Sequence, residues 1–189
     1  MTIPAIKAWT VEEFEAFAES GDNRHRLLEL INGEVVEKMP TEEHGITALN
    51  FGRYIGNFIE EHEIQGYAGV EVRHRRPGDK YNSRLPDVSY RSTTTPVVTK
   101  GAVPQMPDLA IEIQSPDDTL RDMRATAEYY LRNGSKLVLL AYPSVKMIEA
   151  CILNAEGMLE IQAHGETDSV DCSVVIPGLV LFVEKIFPK

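Results

Sequence analysis

Positive charge is scarce in this chain: 19 Lys and Arg stand against 29 Asp and Glu over 189 residues, for a formal charge of -10. Such a balance argues against broad coating of nucleic acid, because phosphate binding draws on Lys and Arg replacing counterions. Cysteine is as sparse. Cys151 and Cys172 are too few for a disulfide framework and too far apart for a metal knuckle or redox motif, so both read as small buried hydrophobes. Long apolar runs are missing too: nothing approaches the roughly 18 residues a membrane span needs. The start, MTIPAIKAWTVEEFEAF, lacks the charged segment and apolar stretch of a signal peptide, which predicts a cytoplasmic protein. The length is that of one domain over 1–189, and no internal repeat is visible.

What is present is patterned for mixed α and β structure. Thr10 with Glu13 forms a capping-box pattern, and Val11, Phe14, Phe17 and Ala18 recur at helical spacing, predicting a helix over 10–19. Asn32-Gly33 supplies the positive φ angles of a tight hairpin turn between strands at Leu27 to Leu30 and Val35 to Met39. Ile46, Leu49, Ile55, Phe58 and Ile59 mark one face of a long helix from Glu42 to about Glu63, in which Gly52 and Gly56 permit close packing. Strands follow at Tyr67 to His74, Leu85 to Tyr90 and Leu109 to Ile113, with Ser92 to Pro107 a loop too polar for core. A helix from Thr119 to Arg132 stops at Asn133-Gly134, and strands at 136–142, 146–153, 158–163 and 179–183 complete the chain.

Glu112 is the anomaly. Period-two alternation puts Asp108, Ala110, Glu112 and Gln114 on one face of a very apolar strand. An ionised carboxylate there is costly unless paired, hydrogen-bonded or metal-bound. Pro86-Asp87 opens the strand before it, and two carboxylates from neighbouring strands can hold a hard cation such as Mg²⁺, which prefers oxygen ligands. Charge is also uneven: Arg73, Arg75, Arg76, Lys80, Arg84 and Arg91 face only Asp79 and Asp87 within one segment. That segment is either a solvated hairpin or a phosphate-facing strip. Asp108 reads either as a third carboxylate on the site face or as a strand-start residue bound to local backbone.

Pro86-Asp87 followed by Glu112-Ile113-Gln114 resembles the PD-(D/E)XK motif of the restriction-endonuclease-like superfamily. The wider text, Glu29-Leu30-Ile31-Asn32-Gly33-Glu34-Val35-Val36, His44, Leu85-Pro86-Asp87-Val88, Pro107 to Ile113, Ser115-Pro116, Tyr130 to Gly134 and Pro177-Gly178-Leu179, is similar to a large bacterial family of endonucleases in that superfamily. The resemblance spans about residues 10–187. It implies a mixed central β-sheet flanked by helices, with Asp87 and Glu112 as ligands of Mg²⁺ or Mn²⁺, the Ile113 carbonyl joining them and Glu29 supporting. His44 becomes a proton carrier or substrate contact, or a structural helix-start histidine. Gln114 departs from the pattern, since it replaces the motif lysine by a neutral amide that can orient water but carries no charge. A second lysine common in the family, on the helix after Ser-Pro, corresponds to Thr126, with Arg121 and Arg124 nearby. The implied activity is hydrolysis of nucleic-acid, chiefly DNA, phosphodiesters; the local basic segment, with Arg73, Arg75, Arg76, Lys80 and Arg84, is expected to grip phosphates, and because two copies cut two strands most simply, symmetry predicts a homodimer. The alternative is a catalytically inactive module on the same fold that binds nucleic acid or protein.

Overall fold

In a computed structural model that describes residues 7–189, the chain forms three α-helices around a six-stranded mixed sheet, a restriction-endonuclease-like arrangement. Residues 1–6, the beginning of the segment read above for a leader, lie outside the described residues. Helix α1 (Val11–Ala18) begins at a complete capping box, with the Thr10 and Glu13 side chains each bonded to the other's backbone N–H. It packs Val11 and Phe14 against Leu28 and Leu30 of a hairpin, β1 (Leu28–Ile31) and β2 (Glu34–Glu37). Asn32 and Gly33 turn it with φ of 51° and 83°.

Helix α2 (Glu42–Glu61) follows, capped by the Thr41 hydroxyl accepting from the His44 N–H. Gly52 does permit close approach: a Cβ there would lie 3.4 Å from Val70. Gly56 has open space around it, so the expected packing role does not extend to it.

Strand order in the main sheet is β3 (Tyr67–Val70), β4 (Val88–Arg91), β5 (Leu109–Ile113), β6 (Leu137–Tyr142), β7 (Met147–Leu153) and β8 (Leu159–His164). Only β5 and β6 run parallel, joined by the crossover helix α3 (Leu120–Arg132). Parallel neighbours buried on both faces read as near-continuous apolar runs, which accounts for Leu109–Ile113 and Leu137–Tyr142. One face, with Val88, Leu109, Ile111 and Leu139, packs on α2 residues Phe51 and Ile55 and on the C-terminal segment. The opposite face, with Ala110, Val138 and Leu140, packs on Met123, Ala127 and Tyr130 of α3.

Three further expectations are corrected. The strand predicted over 67–74 stops at Val70 because Glu71 takes a left-handed φ of 54°. The strand predicted from Leu85 starts at Val88, since the Leu85 N–H is taken by the Glu29 carboxylate and Pro86 has no N–H to offer. Within the polar 92–107 segment, Val103 and Met106 are buried after all, with Val103 bridging to His74. The C-terminal strand β10 (Val180–Phe182) pairs with β9 (Ser169–Asp171), a three-residue strand too short to leave a periodic signal.

Candidate active site

The β4–β5 ladder pairs Val88 with Ile111 and Ser89 with Ala110. One further step in the same register sets Asp87 opposite Glu112, on the face shared with Ala110 and covered by α3. Both carboxylates are buried, at 2% and 6% exposure. Neither is unpaired. The Lys38 ammonium, carried just beyond β2, donates to Asp87 Oδ1 at 2.8 Å, to Glu112 Oε2 at 2.9 Å and to the Leu85 carbonyl at 2.9 Å. Asp87 Oδ2 accepts from the Ile113 N–H at 2.7 Å and lies 3.1 Å from His44 Nε2. Glu112 Oε1 accepts from the Tyr130 hydroxyl at 2.8 Å. Glu29 braces the edge, its carboxylate accepting from the Leu85 N–H.

These contacts set the proton affinities. Burial pushes Glu112 up to about 8, with Asp87 and Glu29 adding to the rise and Lys38 opposing it. Burial also acts on Asp87, but Lys38 and His44 outweigh it and hold that carboxyl below its usual range. For Lys38, desolvation is outweighed by Glu112, Glu29 and Asp87, which together hold the ammonium well above the ordinary lysine range. Burial and the neighbouring Glu112 raise the Tyr130 hydroxyl far above the tyrosine norm.

Lys38 and Glu112 open into a cleft of about 470 Å³ whose wall includes Glu37, Asp117, Asp118, Asp122 and Thr126. Among the described residues lining it, Lys38 is the one basic side chain. His44 and Gln114 line a second hollow on the other side of Ser115 and Pro116. The site is thus two-sided, with Asp87 held by Lys38 on one side and His44 on the other. Gln114 is turned from the Lys38 cleft, its amide donating to the Asp118 carbonyl.

Several expected residues lie elsewhere. Arg84 is buried at 4% exposure with its guanidinium over the Tyr129 ring, and cannot face a phosphate at the surface. Arg73 donates to the Leu28 carbonyl and stacks on Phe14, and Arg75 pairs with Glu15. Arg76 and Lys80 are exposed. The basic segment is therefore not one continuous strip: half-buried or buried guanidiniums in it tie the hairpin and α1 to the sheet. Arg124 is drawn to Glu149 on β7. Asp108 binds the Ser92 N–H and Lys136, away from the site, the strand-start reading rather than the site-face one.

Sequence reasoning missed Lys38 and the hydroxyl of Tyr130. The signal for Lys38 was present: β1 pairs Glu29 with Val36, so period two places Val36 and Lys38 on the face that holds Glu29.

A sequence model of one protein family matches residues 11–184, nearly the whole chain; the family is Uma2, described as "putative restriction endonuclease". The chain belongs to the Uma2 family. Among solved structures, a "putative nuclease belonging to DUF820" from Anabaena variabilis is similar over 94% of this chain and 97% of its own, at 22% identity and a TM-score of 0.75, which shows a shared fold. No curated protein matches. This Uma2 chain brings a lysine to its paired carboxylates from the β1–β2 hairpin, while Gln114 and Thr126 are neutral.

Whether the donors suit a hard cation can be judged from Lys38 itself. Among the described residues no three His, Cys, Asp or Glu side chains gather as a metal-binding group. Three oxygens do converge on one positive atom, however: Asp87 Oδ1, Glu112 Oε2 and the Leu85 carbonyl, with the ammonium as stand-in ion. Two carboxylates plus a carbonyl is a donor set that Mg²⁺ or Mn²⁺ accepts, the remaining positions being filled by water. No helix among the described residues is long and apolar enough to cross a membrane.

Proposed function

We propose that this Uma2 chain is a metal-dependent endonuclease that hydrolyses phosphodiester bonds of nucleic acid, with DNA the first substrate to test. The observation that carries the reading is the convergence of Asp87 and Glu112, from adjacent strands, on one cation at the mouth of the cleft. Asp87, Glu112 and the Leu85 carbonyl would hold Mg²⁺ or Mn²⁺, with the Ile113 carbonyl as the further ligand that the family resemblance implies; the metal's chemistry is to polarise a phosphoryl oxygen and lower the pKa of water. The protein's own groups orient that set. The Ile113 N–H and His44 fix the Asp87 carboxylate, Tyr130 fixes Glu112, and Glu29 locks the Leu85 peptide between them. Gln114, whose amide nitrogen is held by the Asp118 carbonyl, would orient water through its side-chain oxygen from the hollow it shares with His44. Phosphate contacts beyond the site fall to the exposed Arg76 and Lys80 rather than to Arg84. A twofold pair of chains would place one site on each strand of a duplex.

A second reading has its own support. Every oxygen of Asp87 and Glu112 already has a protein partner, as expected if the fold serves only to bind nucleic acid or protein. Cleavage of plasmid, single-stranded DNA and RNA with Mg²⁺ and then Mn²⁺, comparing wild type with Asp87→Ala and Glu112→Ala, separates the two. The nuclease reading expects cutting by wild type and a fall of roughly a hundredfold or more in each variant. Absence of cutting on all substrates with both metals favours the binding module, and cutting that survives both substitutions means the site is elsewhere.

A further inference from the structure

Resting on the metal-dependent reading above, we infer that Lys38 is a built-in counter-ion that competes with the divalent metal for Asp87 and Glu112. The metal site then opens only when the ammonium withdraws into the cleft. An ammonium has three donors, and here each has one acceptor: Asp87 Oδ1, Glu112 Oε2 and the Leu85 carbonyl. The plug is therefore complete, and it uses the same oxygens a hard cation needs. Mg²⁺ sits about 2.0–2.1 Å from its ligands, so a cation bound by these three oxygens takes the place of the ammonium, which lies 2.8–2.9 Å from each of them.

The fold also provides for withdrawal. Lys38 lies just outside β2 on a flexible four-carbon stem, and its side chain is 21% exposed while the two carboxylates are at 3% and 8%. It lines the cleft, whose wall carries Asp117, Asp118 and Asp122 as alternative anions for a displaced ammonium. Once there, it is the one basic group on the cleft wall among the described residues and would offer its charge to an anionic substrate entering the cleft. Nothing comparable comes from Gln114 or Thr126, which are neutral. A single side chain in this arrangement lowers metal affinity at rest and supplies positive charge after loading.

The test is Mn²⁺ binding, read by electron paramagnetic resonance of the free ion, in wild type, Lys38→Met and Lys38→Ala at one pH. If the ammonium is away in a tenth of molecules or fewer, apparent affinity is reduced roughly tenfold or more, so both variants should bind Mn²⁺ tighter by that factor. The gain should vanish when Asp87→Asn is added. Equal or weaker binding in both Lys38 variants overturns the inference while leaving a metal site in place. Failure of wild type and both variants to bind Mn²⁺ removes the metal-dependent reading and the inference with it. A second measurement needs no substitution: in wild type the Lys38 ammonium resonance, protected by its three acceptors, should be lost as Mg²⁺ saturates the protein. A protected signal that persists with Mg²⁺ bound also overturns the inference.

Discussion

His74 should make the fold lose stability between pH 7 and pH 5, and the structure says by how much. The ring is 1% exposed, with Nδ1 2.9 Å from the Gln105 carbonyl and Nε2 3.2 Å from the Ser89 hydroxyl. A carbonyl only accepts, so Nδ1 carries the proton and Nε2 accepts from Ser89, and the neutral ring fits. Desolvation lowers the pKa from 6.5 to about 4, with Arg91 lowering it further and the Gln105 contact opposing. A group whose folded pKa is depressed adds stability that is present above its unfolded pKa and is lost as pH falls through it. The loss here runs from about pH 6.5 to 4, amounts to about 2 kcal/mol between pH 7 and 5, and ends near 3 kcal/mol. Glu112 acts in the opposite sense, because its folded pKa is raised to about 8 and its contribution grows as pH falls. Wild type alone therefore does not isolate His74. Urea unfolding of wild type and His74→Asn at several pH values does, since the cavity cost of the substitution is a constant offset. Wild type should lose about 2 kcal/mol more than the variant from pH 7 to 5. Parallel curves, or an imidazole titrating near 6.5 by NMR in the folded protein, would refute the reasoning.

Two further substitutions probe the scaffold of the site. Gly33→Ala forces a Cβ to 2.6 Å from Ala8 Cβ at a φ of 83°; a thermal melt should show a loss of about 1–3 kcal/mol, and an unchanged melting temperature would mean the turn is not held as described. Tyr130→Phe leaves Glu112 Oε1 without its buried donor; denaturant unfolding should show about 1–3 kcal/mol lost, whereas a neutral result would mean the hydroxyl and carboxylate do not meet.

Much of this architecture is legible along the chain because local chemistry and the final fold agree. Thr10 and Glu13 close the capping box they spell, Asn32-Gly33 makes the turn its φ preference requires, and β5 spans the expected Leu109 to Ile113. Alternation there also places Glu112 on the α3 face. Disagreements fall where tertiary contacts override local pattern. Glu71 leaves strand geometry, the Leu85 N–H and carbonyl are taken over by Glu29 and Lys38, and Arg84 is drawn under Tyr129. A segment rich in arginine reads as a phosphate strip only while its partners are unknown; Glu15, Phe14, Leu28 and Tyr129 lie far from it in sequence or on other elements.

Lys38 shows why a site is harder to read than a fold. Its position relative to Glu29 follows from one hairpin register, but its partners Asp87 and Glu112 are 49 and 74 residues away. No local periodicity reaches that far. The resemblance directed attention to the motif's lysine positions, which hold Gln114 and Thr126, and so toward an uncharged site. Burial supplies the physical reason to look further: two carboxylates at 2% and 6% exposure, with Glu29 beside them, are costly as anions unless a positive or hydrogen-bonding partner meets them. Arg84 and Arg124 are committed to Tyr129 and Glu149, which leaves the hairpin to deliver it. One ammonium thus meets both buried carboxylates, and the proposed competition with a metal turns on that single side chain.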